Sequence, residues 1–244
     1  MSGRIALATA ARLLRQLVRD RRTLVLLLVV PPLLLTLFKY VFVDQEATFE
    51  RVGAPMVGLF PFITMFLVTS IAVLRERTSG TLERLMSMPL AKLDLLVGYG
   101  IAFALVAAVQ ATLTSVVAFG PLGLETEGSV WIVVAIAIAN AVLGMALGLF
   151  LSAFATTEFQ AVQFMPAFVL PQILLCGLLV PRADMAEVLH VLSYALPLTY
   201  AYDALARATL GDTGGAFALD VAIVCGFIVL ALALGATTLR RRTP

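Results

Sequence analysis

Six apolar runs govern what this chain can become. They cover about residues 24–43, 54–74, 95–119, 129–151, 160–180 and 218–239. At a rise of about 1.5 Å per residue, each is long enough to cross a hydrocarbon core roughly 30 Å thick. Composition agrees. Hydrophobic residues make up 61% of the chain and charged residues 13%. Soluble domains hold roughly 45–50% and about 25%, so there is too little polar surface here to cover a water-exposed globule. The same figures exclude disorder and a small disulfide scaffold. A transmembrane β-barrel needs segments of about ten residues with alternating hydrophobicity, and no such pattern occurs. The predicted fold class is an all-α membrane protein with six transmembrane helices.

Basic residues set the expected orientation. With both termini cytoplasmic, the inner segments hold 13 arginines and lysines. The outer segments hold 4: Lys39, Arg51, Arg182 and Arg207. The positive-inside rule then predicts a multi-pass plasma-membrane protein with cytoplasmic termini. Fifteen arginines against two lysines read as the codon bias of a GC-rich bacterial genome. The first 23 residues carry six arginines and no uninterrupted apolar core, so no cleavable signal peptide is expected. The longest inner loop is about 20 residues and the longest outer segment about 37, too short for a folded enzyme domain. Residues 1–244 therefore read as one transmembrane domain.

The chemistry of a site is sparse. No G-x-x-x-x-G-K-[ST] run is present, so ATP is not expected to bind through a P-loop. His190 has no nearby Cys or His, and Cys176 and Cys225 sit inside apolar runs. No catalytic residue, metal site or cofactor is expected in this chain. A net charge of +2 gives no argument for nucleic acid. Asp220 and Glu158 lie near span ends, and no acidic residue stands at a span centre. A proton- or sodium-coupled secondary transporter would be expected to hold one there.

Four segments carry information. In residues 4–22, Arg12, Arg15, Arg19 and Arg22 share one helical face, while Ala6, Ala10, Leu13, Leu14 and Leu17 fall on the other. This predicts an amphipathic helix in the inner headgroup plane, either a simple anchor or an elbow that passes force to the spans. In residues 75–94, Leu82, Leu85 and Met86 form an i, i+3, i+4 patch beside Glu83 and Arg84, and Pro89 stops the helix. Such a helix just outside the membrane suits docking to a protein, although a plain connecting loop is the alternative. In residues 181–217, Asp184 and Glu187 are spaced as a capping box. Pro197 suits the first turn of a second helix and Gly211 its end. These pieces read as a helical pair dipping into the outer leaflet. Finally, polar residues inside spans, among them Thr64, Gln110, Asn140, Gln163 and Gln172, face a partner or a cavity. Pro166 and Pro171 are expected to kink span five, and Gly144 with Gly148 to pack span four within the subunit.

The second of these segments resembles the ABC-2 family of ABC-transporter membrane subunits. Glu76, the run Gly80-Thr81-Leu82-Glu83 and Pro89 are similar to its signature after the second span. Leu196-Pro197-Leu198-Thr199-Tyr200 followed by Asp203-Ala204-Leu205 resembles a recurrent pattern before the last span. The likeness covers nearly the whole chain. It implies a homodimer or heterodimer with a like permease subunit, and separate ABC ATPase subunits that carry ATP and Mg. The ATPases would dock at Glu76, Gly80, Thr81, Leu82, Glu83, Leu85, Met86 and Pro89. It also implies export rather than uptake. Spans two and five would border the substrate path, which points to Phe62, Phe66, Gln163 and Phe164. The outer helical pair, with Pro197, Leu198 and Tyr200, would close the outer end. The expected path holds hydroxyls and amides but no fixed charge, which suits a hydrophobic drug or lipid-like substrate. A polysaccharide exporter of the same family, a secondary transporter and a non-transporting assembly protein are the alternatives.

Overall fold

The computed structural model describes residues 3–81 and 92–238, and among them every regular element is a helix. Five long helices come first. They are α1 (Gly3–Arg19), α2 (Arg21–Val41), α3 (Glu46–Thr78), α4 (Lys92–Phe119) and α5 (Val130–Leu151). An interrupted helix follows, made of α6 (Glu158–Phe164), a π-helical turn (Met165–Val169) and α7 (Leu170–Leu175). Two short helices, α8 (Glu187–Ser193) and α9 (Pro197–Thr209), lead to α10 (Gly215–Thr238). Among the described residues, α2, α3, α4, α5 and α10 are each long and apolar enough to cross a membrane. Helices suit this setting because they close their own backbone hydrogen bonds where lipid offers none.

The fifth apolar run, expected as a span over 160–180 kinked at Pro166 and Pro171, is interrupted at those prolines and ends early. It is helical only to Leu175, and the chain then bends through residues 176–180. Pro166 and Pro171 lack N–H groups, so the carbonyls of Val162 and Ala167 lose their usual donors. The backbone between the two prolines takes up the wider π pitch instead.

α3 and α5 form the central pair. A Cβ built on Gly144 or Gly148 would run into the carbonyl oxygens of Phe62 and Phe66, so the two glycines let the helix backbones touch. Around this seam Phe62, Met65, Phe66, Phe103, Leu143 and Met145 are fully buried. α1 is more than a surface anchor. Its Ala6, Thr9, Ala10 and Leu13 are buried, and it crosses α4 where a Cβ on Gly98 would lie 2.7 Å from the Thr9 Cβ. α2 and α10 lie on the outside of the bundle with most of their surface uncovered.

At the end opposite α1, α9 is seated by polar contacts. Asn140 Nδ2 donates to the Ala201 carbonyl at 3.3 Å, and the Leu198 N–H donates to Gln172 Oε1 at 3.4 Å. The backbone N–H groups of Glu127 and Gly128 both donate to the Thr209 carbonyl at the C-terminus of α9. Pro197 occupies the first turn of α9 and Gly211 follows its end. The capping box expected from Asp184 and Glu187 does not form. Asp184 closes a 3-10 turn by donating its N–H to the Pro181 carbonyl at 3.0 Å. Met185 is then extended, and α8 starts at Glu187 with Ala186 as its uncapped N-cap.

Candidate functional site

Helices α1, α2 and α3 enclose a lateral cleft of about 760 Å³. Sites for small molecules run from roughly 300 to 1,000 Å³. Each wall is one helical stripe at i, i+3, i+4, i+7 spacing. α1 contributes Leu13, Gln16 and Leu17, and Asp20, the N-cap of α2, carries the line on to Thr23, Leu26, Leu27, Val30 and Leu34 of α2. The facing stripe of α3 runs from Phe60 through Ile63, Thr64, Leu67, Val68 and Ile71 to Arg75. Phe103 and Met165, the latter at the first position of the π turn, add to the lining, and Glu76, Ser79 and Thr81 line its polar end. The one polar side chain midway, Thr64, spends its hydroxyl on the Phe60 carbonyl at 2.9 Å. Polarity gathers at the end where α1 meets α2.

Three arginines knot that end together. Arg12 of α1 pairs with Glu76 at 2.9 Å and reaches the Tyr99 hydroxyl at 3.3 Å. The Tyr99 hydroxyl in turn donates to Glu76. Arg75 holds Glu158 with two bonds, Nε to Oε1 at 2.7 Å and Nη2 to Oε2 at 3.0 Å. These bonds keep the Glu158 carboxyl below its ordinary range. Arg77 Nη1 donates to the Ser152 carbonyl at 2.7 Å, past the end of α5. The last turn of α3 therefore grips α1, α4, α6 and the end of α5 at once. Ser79 then caps α3, and Gly80 follows at φ +71°, a left-handed conformation that suits glycine.

A second charged cluster lies at the far end. Arg182 pairs with Asp203 of α9 and stands 5.5 Å above the Tyr194 ring. Arg207 bridges Asp212 at 3.0 Å and Asp220 at 3.1 Å. Burial pushes the Asp203 carboxyl up to about 6, and Arg182 offsets that only in part.

The residues singled out from sequence fall in three groups. Glu76, Gly80 and Thr81 lie together at the end of α3, while Leu82, Glu83, Leu85, Met86 and Pro89 lie outside the described residues. Phe62 and Phe66 do not reach the cleft. Both are wholly buried, Phe66 with its ring stacked on Phe168 of the π turn, and the face of α3 that lines the cleft is the one carrying Phe60, Ile63, Thr64 and Leu67. Gln163 is exposed, and Phe164 packs on Leu74, Ala155 and Ala161 instead. Pro197 and Leu198 are buried at the start of α9. Tyr200 is half-buried, donating to the Tyr194 carbonyl at 2.8 Å.

The family model described as ABC-2 type transporter matches residues 6–210. The chain belongs to the ABC-2 type transporter family. It is 27% identical over 157 residues to the probable multidrug ABC transporter permease YbhR of Escherichia coli K12, covering 64% of this chain and 43% of that protein. It is 28% identical over 135 residues to the related permease YbhS, 55% of this chain and 36% of that one. ABC transporter G family member 20 of Dictyostelium discoideum is 26% identical over 159 residues, 65% of this chain and 22% of that protein. The chain thus spans less than half the length of the relatives it matches. Within the ABC-2 match fall the whole cleft and both charged clusters up to Arg207. Arg12 and Tyr99 are the partners of Glu76 that sequence reasoning missed. The signal was present for Arg12, which directly precedes the buried Leu13 and so borders the apolar face of α1.

Proposed function

We propose that this ABC-2 chain is the membrane-spanning permease subunit of an ATP-driven exporter, with a separate ABC ATPase supplying the energy. The observation that carries the reading is mechanical. The polar end of the cleft is built on the last turn of α3, and the same turn leads into the segment that would dock the ATPase. A displacement of that segment on ATP binding would pull on Arg75, Glu76 and Arg77, and through them on α1, α4 and α6. Both walls of the cleft would move together. For transport to be coupled, the substrate must bind the inward-open and outward-open states with different affinity. The apolar walls favour a hydrophobic or amphipathic substrate over a polysaccharide, because a polyhydroxylated chain would find no hydrogen-bond partner midway. The working unit is a dimer with a like permease, in a bacterial plasma membrane, with both termini on the ATPase side.

The test replaces Leu85, the centre of the expected docking patch, by aspartate. Interface cores hold apolar anchors, so a charge there should release the ATPase or uncouple it, and export from cells should stop. Glu83→Ala should be milder, because rim charges mainly tune association. Normal co-purification and full export in Leu85→Asp would refute the coupling role of this segment.

A further inference from the structure

The cleft has a chemical direction, and it points to one class of ligand. Along α2 the lining runs from Thr23 to Leu34, about 16 Å at 1.5 Å per residue. Above Thr23 the only polar side chain in it is Thr64, whose hydroxyl is already bonded. That length and that dryness suit a single alkyl chain. The charge at the polar end is equally specific. Arg75 is held in a fork by Glu158, and Glu76 is held by Arg12 and Tyr99. Asp20 differs. Its carboxylate accepts from Thr23, through the backbone N–H at 3.2 Å and the hydroxyl at 2.6 Å, and it is attracted by the Arg75 guanidinium without pairing with it. Among the described residues it makes no ion pair, and the adjacent Arg19, Arg21 and Arg22 are exposed and off the lining. The mouth therefore carries one carboxylate without an ion pair above a dry apolar slot.

We infer that the α1–α2–α3 cleft binds a single-chain cationic amphiphile, with its ammonium head at Asp20 and its alkyl tail between α2 and α3. The inference deepens the exporter reading and rests on it for direction. With α1 on the cytoplasmic side, the slot opens to the leaflet whose negative surface potential concentrates such cations. Anionic chains of the same length meet repulsion at Asp20, and neutral ones gain the tail contacts without the charge.

Binding of radiolabelled dodecyltrimethylammonium to the full chain in lipid nanodiscs tests this, with empty nanodiscs as the partition background. Unlabelled dodecyl maltoside and dodecyl sulfate serve as competitors. The cation should bind saturably, and dodecyl sulfate should compete least. Asp20→Asn keeps the N-cap of α2, since asparagine caps as well as aspartate. It should weaken the cation about fivefold to tenfold and leave dodecyl maltoside unchanged. Val30→Trp, which fills the slot, should weaken both. Absence of saturable binding, equal affinity for dodecyl sulfate, or unchanged cation affinity in Asp20→Asn would each overturn the assignment. The measurement uses neither ATP nor an ATPase. A loss of binding therefore counts against this site alone, and a lack of ATP-driven export counts against the exporter reading alone.

Discussion

Glu76 shows how little of a residue's role its letter conveys. Its carboxylate is nearly enclosed, with a side-chain exposure of 11%, and it serves Arg12 and Tyr99 together. Removing it strands a guanidinium and a phenol. Glu76→Ala should therefore cost about 1–3 kcal/mol of stability, read as a lower unfolding temperature of the purified protein. Arg75→Ala breaks an ion pair more than half exposed on both sides, so its cost should stay below about 1 kcal/mol. A double-mutant cycle between Arg12 and Glu76 should show coupling, whereas one between Arg75 and Glu158 should show little. Asp203 makes a pH-dependent case at the far end. Its carboxyl is raised to about 6 from an ordinary 3.8, chiefly by burial. Between those values the folded chain holds more protons than the unfolded chain, so this group's contribution falls as pH rises from about 4 to about 6. Asp203→Asn should flatten that part of the stability–pH curve. An unchanged slope in thermal unfolding at several pH values would refute the assignment.

At the scale of the element, α3 is the decisive case. It is apolar on every side, so its sequence pattern marks no preferred face. The pair Phe62 and Phe66 reads as plausibly path-lining as Phe60, Ile63 and Leu67 do. Only contact with α5 separates the two faces. The backbone approach at Gly144 and Gly148 takes the Phe62 face into the seam and leaves the other to the cleft. Phe62→Ala should cost about 3–5 kcal/mol of stability through cavity formation. Leu67→Trp should leave the fold intact and change which compounds are exported or bound. The reverse pattern, a stable Phe62→Ala with altered substrates, would place the path on the α5 side. The glycines offer a sharper contrast. Gly144→Leu has no space before the α3 backbone and should abolish folded protein. Gly100→Ala on α4 meets nothing within 4 Å and should be neutral or stabilising by up to about 1 kcal/mol. Expression and monodispersity on size-exclusion chromatography distinguish them.

The molecule as a whole has two polar ends. The α1 end carries the Arg12–Glu76 and Arg75–Glu158 pairs, and the α9 end carries the Arg182–Asp203 and Arg207 pairs. The exporter reading proposed above puts the α1 end on the cytoplasmic side, as the distribution of arginine and lysine predicts. Single cysteines at Gly3 and at Glu125, introduced after Cys176 and Cys225 are replaced, should differ in intact cells. An impermeant thiol reagent should label position 125 and spare position 3. Labelling of position 3 but not 125 would invert the orientation, and with it the leaflet from which the cleft fills.

Run length and composition by themselves determine an all-helical membrane protein, because a polar backbone in lipid has few ways to satisfy its hydrogen bonds. The prolines of the fifth run also announce their break, since a missing N–H acts locally. Pro197 and Gly211 likewise delimit α9 without help from distant residues. Three features were decided only by the fold. Arg12 is drawn from the headgroup face into a pair with Glu76, 64 positions away. Asp184 is diverted from a cap into a 3-10 turn. The cleft settles on one stripe of α3 rather than another. In each case the local sequence is compatible with more than one arrangement. Contact with a helix remote in sequence, or the exact turn taken by a loop, tipped the balance, and neither is encoded in any single span.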